Sequence, residues 1–416
     1  MANIFDYLKW RGDLSFKQSE VNEVDFLILS TISYLRFSGI VDGTFKNSVL
    51  LKDAALAFKN ADDFEKRKAE TENVDPLAVE TLFLAGESRR FGNLKMCAFS
   101  DILDFAKEEQ FAAITFSCSE AKWNCVTFRG TDNNFVGWKE DFNLAYLDEL
   151  PSQRDAVKYF DEAAKKMRGP LYIAGHSKGG NIAIYAAKFA KPKIQKRIQA
   201  IYNFDGPGFY QNFFDDDSYK NIKDKIKTYV PSLSIVGALF WHDTPFVVVE
   251  SEGKGIYEHD PLHWHTEGNH FFELKDVTDE SKLLNKTVNQ WILDVKKDDR
   301  KIFVDSIFKV LLKTETKTLT NFQNNMIENL YKVFVGLRNL DKNTKNLVNN
   351  VVKLFARSMK NNVDEEIKKN SQNFFSSLIP SEKSKTKSRK KAKALTGEKL
   401  IEEKQIGEQK KDEGEL

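Results

Sequence analysis

The apolar positions of this chain change their period three times. Over residues 1–90 the period is helical, with Phe26, Leu27, Leu29, Ile32 and Leu35 recurring on one face. The stretch from Ala54 to Lys68 is charged and Ala-rich, and Pro76 marks a break after it. Near residue 93 the pattern shortens. Phe111–Cys118 and Trp123–Phe128 are β-rich runs, and Ser119–Lys122 between them predicts a hairpin turn. A helix is expected from Ser152 to Met167, a short strand over Leu171–Ala174, and an Ala-rich helix from Asn181 to Ala190. Ile198–Phe204, Lys227–Val230 and Phe246–Val249 are further strand candidates. Strands alternating with helices predict the α/β class, with a mostly parallel sheet covered on both faces.

From about Ser281 the helical period returns. Ile302, Phe303, Ile307, Val310 and Leu311 fit one stripe. Met326, Leu330, Val333, Leu337, Leu340, Thr344, Leu347, Val351, Leu354 and Ser358 then follow alternating steps of four and three, a heptad seam. Gly336 and Asp341–Asn343 argue against one unbroken helix. Two readings stay open: a helical hairpin folding back on the preceding domain, or a coiled coil through which the chain self-associates. After Pro380 the apolar pattern stops, and a Lys-, Ser- and Glu-rich tail cannot bury enough apolar surface to offset its ordering entropy. The expected organisation is a helical segment over 1–90 packed on an α/β core over 91–280, a helical extension over 281–379 and a disordered charged tail over 380–416.

With 416 residues the chain is too long for one ordinary core, which agrees with that division. A hydrophobic content of 41% supports a substantial core, and 33 Phe residues make it rich in flat rings. The net charge of +2 gives no case for a nucleic-acid partner. Only Lys383–Lys393 concentrates positive charge. It leaves open a weak contact with an anionic membrane surface, against the plainer reading of a solvated tail. Cys97, Cys118 and Cys125 have no ligand or CxxC spacing and read as buried free thiols. No metal or cofactor is expected, although His263 and His265 form a short pair. The first residues carry no signal-peptide pattern and no apolar run reaches 18 residues, so the expected address is the cytoplasm.

The sharpest chemical signal is the run from Leu171 to Asn181. An apolar strand enters Gly175-His176-Ser177-Lys178-Gly179, and a helix follows. A serine on so tight a strand-to-helix turn has its hydroxyl exposed for attack, and small residues two before and two after leave room for the turn. The turn aims the Lys178 amide at a developing oxyanion, and the helix N-terminus adds a favourable field. Val126–Thr131 ends an earlier strand about 50 residues upstream, where the second oxyanion donor is expected; Gly130 allows close approach and Thr131 offers an amide and a hydroxyl. His176 is set aside as the base because the turn directs it away from the serine.

Phe128-Arg129-Gly130-Thr131, Trp138 and Asp141, with the elbow itself, resemble the paired signatures of the class 3 (fungal-type) lipases. With Asn181, Phe204-Asp205-Gly206-Pro207-Gly208-Phe209 and Ser234–Gly237 added, residues 20–275 are similar to the bacterial Mbeg-like lipase-related family. The resemblance implies an α/β-hydrolase fold and serine hydrolase chemistry. It also implies a structural ion pair between Arg129 and Asp141 that holds the oxyanion loop.

The base and acid must follow the serine in the order Ser…Asp…His. His259 closes the loop after the last expected core strand and is the first candidate for the base. His263, His265, His242 and His270 stay open. The resemblance expects the acid in Pro231–Gly237, where this chain has Ser234. Asp205, directly after the preceding strand, is the leading candidate, with Asp243 as the alternative; Asp205 also reads as a turn-capping residue. Two functions follow: hydrolysis of a small-molecule or lipid carboxylic ester through an acyl-enzyme on Ser177, or a non-catalytic binding or scaffold role on a hydrolase fold.

Overall fold

The computed structural model describes residues 2–71, 77–132, 134–253, 255–312 and 340–362. The N-terminal stretch contains α1 (Ile4–Arg11), α2 (Glu23–Ile32), α3 (Leu51–Lys59), α4 (Phe64–Thr71) and α5 (Leu77–Glu87), with a two-residue strand β1 (Val49–Leu50) before α3. Asn3 and Asn22 start α1 and α2 with reciprocal capping boxes closed by Asp6 and Asp25. Asp25 also accepts Tyr7 Oη at 2.8 Å and a two-pronged Arg90 pair at 2.7 and 2.5 Å. Both charges are fully buried, so this pair locks the start of α2 against α1 and the chain beyond α5. Breaking it would strand a buried charge at a cost of about 3–5 kcal/mol.

Helix α2 is buried on nearly every side, which its run Phe26–Leu29 with Val24 and Ile32 suits. Its Phe26 ring lies 4.4 Å from Tyr202 and 4.8 Å from Tyr172, on one face of the central sheet. The strands are β2 (Lys95–Asp104), β3 (Glu109–Cys118), β4 (Trp123–Phe128), β5 (Leu171–His176), β6 (Ile198–Phe204), β7 (Ile226–Pro231), β8 (Phe246–Val249), β9 (Thr266–Glu267), β10 (His270–Phe271) and β11 (Glu273–Leu274). Nine form one sheet in the order β1-β2-β3-β4-β5-β6-β7-β8-β11; β9 and β10 pair separately. Side chains alternate across it with the period of two that strands impose. Cys125, Ala174 and Tyr202 face the N-terminal helices, whereas Val126, Ile173 and Ile201 face α7 (Pro151–Lys166) and α8 (Lys178–Phe189). Each fully buried Phe of these two cores, such as Phe26 or Phe160, adds roughly 1.5–3 kcal/mol.

The sheet has a parallel centre and antiparallel flanks, a mixed form of the α/β class. β4 through β8 are parallel, but β1, β2 and β3 run antiparallel down to β4, and β11 is antiparallel to β8. The reason is connection length: short turns join β2, β3 and β4, whereas the longer crossovers between β4 and β8 allow parallel pairing. Strand β2 escapes the alternation rule because its register slips between Cys97 and Ser100, with Ala98 at φ 55°. A helix that the period did not predict, α6 (Phe135–Asn143), follows β4 and is capped by Asn134. Short helices α9 (Pro192–Gln195) and α10 (Asp217–Lys223) complete the crossovers. All three cysteines are free and buried.

Beyond the sheet lie α11 (Asp279–Asp294), α12 (Lys297–Leu312) and α13 (Lys342–Asn362). The buried face of α12 centres on Val304 and Phe308, and Ile302 of the expected stripe is 41% exposed. The seam residues Met326, Leu330, Val333 and Leu337, and the tail with Lys383–Lys393, lie outside the described residues. The later seam packs back on the same unit: Trp291 of α11 lies between Phe303 of α12 and Phe355 of α13, and donates to Val351 O at 3.3 Å. This cluster abuts Leu144, Leu150 and Phe240 of the core. No helix among the described residues is long and apolar enough to cross a membrane.

Candidate functional site

Ser177 stands between β5 and α8 with φ 57° and ψ −134°. A non-glycine residue in that region is strained by about 1–3 kcal/mol and persists only where its surroundings impose it. They do so here. The Ser177 amide donates to Phe204 O at 2.8 Å, and a Cβ on Gly179 would collide with the Phe128 carbonyl of β4. Ser177 is 9% exposed. Gly130, at the end of β4, lies so close that a Cβ there would strike Ser177 Cβ and Tyr34 Oη. The loop of Thr131 is thereby held against the serine, and the Lys178 amide opens α8.

Among the candidate acids and bases, the structure brings together Asp205 and His259. Asp205 follows β6 directly, with φ 50° and no exposure. Its Oδ2 lies 2.6 Å from His259 Nδ1. Its Oδ1 accepts from Ser234 Oγ at 2.5 Å and from the Gly237 amide at 3.1 Å. Ser234, at the position where the resemblance expects an aspartate, is thus a donor to the carboxylate one strand earlier. The other candidates are engaged elsewhere. Asp243 pairs with Lys223 at 2.7 Å, His242 bonds Gly237 O, and His263, His265 and His270 face Glu252, Glu250 and Glu23. Among the described residues no group of three or more His, Cys, Asp and Glu has the form of a metal site.

His176 is in contact with the site but not as the base. Its ring lies 4.5 Å from that of His259, its Nε2 is 2.8 Å from His259 O, and its Nδ1 is 2.9 Å from Tyr34 Oη. Burial, with His259 next, holds its pKa well below the usual imidazole value, so the ring is neutral. A carbonyl only accepts, so Nε2 carries the proton and Nδ1 accepts from Tyr34. The N-terminal segment therefore reaches the loop of the candidate base through one hydroxyl and one imidazole.

The expected Arg129–Asp141 ion pair is absent. Arg129 pairs with Asp101 at 2.8 Å and faces Asp132 at 3.9 Å, so two nearer carboxylates take its charge. Asp141 Oδ2 instead accepts from Thr131 Oγ at 2.6 Å. Its Oδ1 is out of solvent with no hydrogen-bond partner, 3.8 Å from Lys178 Nζ, while the side chain as a whole keeps 26% exposure. Burial raises the Asp141 pKa to about 6, against the opposing pull of Lys178. Lys178 turns inward from the elbow, donating to Glu140 at 2.7 Å and to Gln110 O at 2.9 Å. Burial alone would depress its ammonium pKa; Glu140 and Asp141 outweigh that and raise it. Glu140 in turn accepts the amides of Gln110 and Ser152 at 3.0 Å each, tying α6, β3 and α7 beneath the oxyanion loop. Tyr34, Glu140 and the acceptor role of Asp141 carry no local motif; only a tertiary contact reveals them.

The Mbeg1-like family model matches residues 85–309, more than half of the chain. The chain belongs to the Mbeg1-like family. No curated protein matches this Mbeg1-like chain in sequence. Among solved structures it is similar to M37 lipase, at 16% identity over 53% of this chain and 70% of that one, with a TM-score of 0.34. It is also similar to the Rhizomucor miehei lipase propeptide complex, at 15% identity over 46% and 65%, with a TM-score of 0.30. Lip2 lipase from Yarrowia lipolytica aligns at 14% identity over 43% and 72%, with a TM-score of 0.30.

Proposed function

We propose that this Mbeg1-like protein is a serine hydrolase of carboxylic esters, with the site of an α/β-hydrolase. The observation that carries the reading is the buried Asp205–His259 pair at 2.6 Å, whose loop is tied to the residue next to a serine with strained backbone at the head of a helix. Ser177 Oγ attacks the acyl carbonyl as its proton passes to His259 Nε2. Asp205 fixes the other ring nitrogen as the N–H and stabilises the imidazolium. The amides of Lys178 and Thr131 hold the oxyanion, where one such donor is worth about 3–4 kcal/mol. His259 returns the proton to the departing alkoxide, and water then resolves the acyl-enzyme by the same route in reverse.

Labelling of the full chain by a fluorophosphonate probe tests this. Labelling of the wild type that disappears in Ser177→Ala is expected, with loss of p-nitrophenyl butyrate hydrolysis in Ser177→Ala and His259→Ala. Absence of labelling under native conditions, with the protein folded, refutes it. The competing scaffold reading draws on the low exposure of Ser177, and it requires that same absence.

A further inference from the structure

Tyr34 lies just beyond the C-terminus of α2 and is buried. Its hydroxyl meets the candidate site at two places. A Cβ on Gly130 would strike the oxygen, so the phenol lies against the chain one residue before Thr131. The same oxygen is 2.9 Å from His176 Nδ1. Burial raises the phenol's pKa far above neutrality, so the hydroxyl keeps the proton that it donates.

A neutral imidazole carries one proton and offers one acceptor. With Tyr34 donating to Nδ1, the proton of His176 stays on Nε2 and is given to His259 O at 2.8 Å. In the other tautomer two acceptors would face each other at that carbonyl. Tyr34 thus does for His176 what Asp205 does for His259. The bridge stands on a firm post: His176 ends β5, is paired in register with Phe204 of β6, and leads directly into Ser177. Its ring lies 4.5 Å from the His259 ring at an interplanar angle of 34°, so a turn of one imidazole disturbs the other. His259 is therefore held twice, at the side chain by Asp205 and at the main chain by His176.

We propose that Tyr34 is a positioning residue for ester hydrolysis, its hydroxyl holding the backbone of the base His259 in register with Ser177 through His176. The proposal rests on the hydrolase reading. Tyr34 exchanges no proton with substrate; it fixes where His259 Nε2 stands when it takes the proton of Ser177 Oγ. Misplacing a catalytic group by about 1 Å costs up to about a hundredfold in rate. Such a loss falls on kcat and spares KM, because it is felt only in the transition state.

The test compares full-length wild type, Tyr34→Phe, His176→Leu, His176→Gln and the Tyr34→Phe/His176→Leu double variant. Hydrolysis of p-nitrophenyl butyrate and the rate of fluorophosphonate labelling are measured on each. Tyr34→Phe should lower kcat and the labelling rate about tenfold, the worth of one hydrogen bond, with KM within about twofold. His176→Leu should lose at least as much. His176→Gln, whose amide can accept from Tyr34 and donate to His259 O, should stay within about threefold of wild type. In the His176→Leu background, adding Tyr34→Phe should change kcat by less than about twofold. A role for Tyr34 in packing alone gives the same loss in both backgrounds, and that result overturns the proposal. Full kcat in Tyr34→Phe overturns it too, as does a His176→Gln enzyme no faster than His176→Leu. The last comparison decides the matter even where Tyr34→Phe fails to fold. A folded wild type that neither labels nor cleaves ester refutes the hydrolase reading, and the proposal falls with it; a reactive wild type with an unaffected Tyr34→Phe refutes the proposal alone.

Discussion

Ser234→Ala removes one of the two donors to a carboxylate with no solvent exposure, leaving the Gly237 amide at 3.1 Å as its partner on that side. A hydrogen bond to a charged group is worth about 1.5–3 kcal/mol. Part of that loss appears as stability, about 1 kcal/mol, and part as poorer orientation of His259. If about 1.4 kcal/mol falls on the transition state, kcat drops about tenfold with KM unchanged. The assay is steady-state hydrolysis of p-nitrophenyl butyrate, with urea unfolding in parallel, run as a double-mutant cycle with Asp205→Asn. In the Asp205→Asn background the further effect of Ser234→Ala on rate should shrink to within about twofold, because the carboxylate it serves is gone. A tenfold loss that persists in both backgrounds refutes the reasoning, as does a Ser234→Ala enzyme with full rate and full stability. Ser234→Asp, which restores the residue familiar from fungal-type lipases, should do worse than alanine, since two carboxylates in contact cannot both ionise.

Three further outcomes follow from the same geometry. Ser177→Gly should raise stability by about 1 kcal/mol in urea unfolding while abolishing probe labelling, because glycine relieves the positive φ. Lys178→Met should lower stability by about 3–5 kcal/mol by stranding Glu140, and adding Glu140→Gln, which removes the charge and keeps an acceptor for the backbone amides it serves, should recover part of it; an equal loss in the double variant would contradict a buried pair. Asp141 is raised from the usual carboxylate value to about 6, so its folded form holds its proton more tightly than the unfolded chain. It therefore costs stability as pH rises from about 4 through 6, by up to about 3 kcal/mol, and the cost is complete above that range. Asp141→Asn should flatten that slope in thermal melts between pH 4 and 8; a wild-type slope retained in the variant would show that another group is responsible.

The elbow was legible because everything it needs is local: an apolar strand, two glycines and an Ala-rich helix within twenty residues. Strands β5 to β8 were legible for the same reason, as short runs bounded by turn residues. Strand β2 was not, since its bulge at Cys97–Ser100 breaks the alternation by which strands are read. Ser234 read as a departure from a pattern, and only the tertiary fold turns it toward Asp205, 29 positions away. The Arg129–Asp141 pair implied by the resemblance does not form, because Asp101 and Thr131 stand closer to these two side chains than they do to each other. Tyr34 had no motif, being 142 positions from the histidine it touches. Pattern reports what a residue is within a turn or two; it cannot report which distant element supplies its partner.

The Tyr34–His176–His259 relay has a consequence for the order of assembly. Its members, 142 and then 83 positions apart, belong to three distant stretches of chain. The same long closure recurs beside it, where Ala2 bridges Thr266 and Glu23 meets His270 at 2.6 Å. A site made from contacts of such high order is formed late, after shorter-range hairpins and helices have condensed. On the ribosome the serine turn emerges long before the loop that carries His259, and the N-terminal segment gains its contacts with Thr266 and His270 later still. The candidate site is thus completed only when these distant segments dock, and truncation of the first forty residues should slow refolding as well as weaken the finished fold.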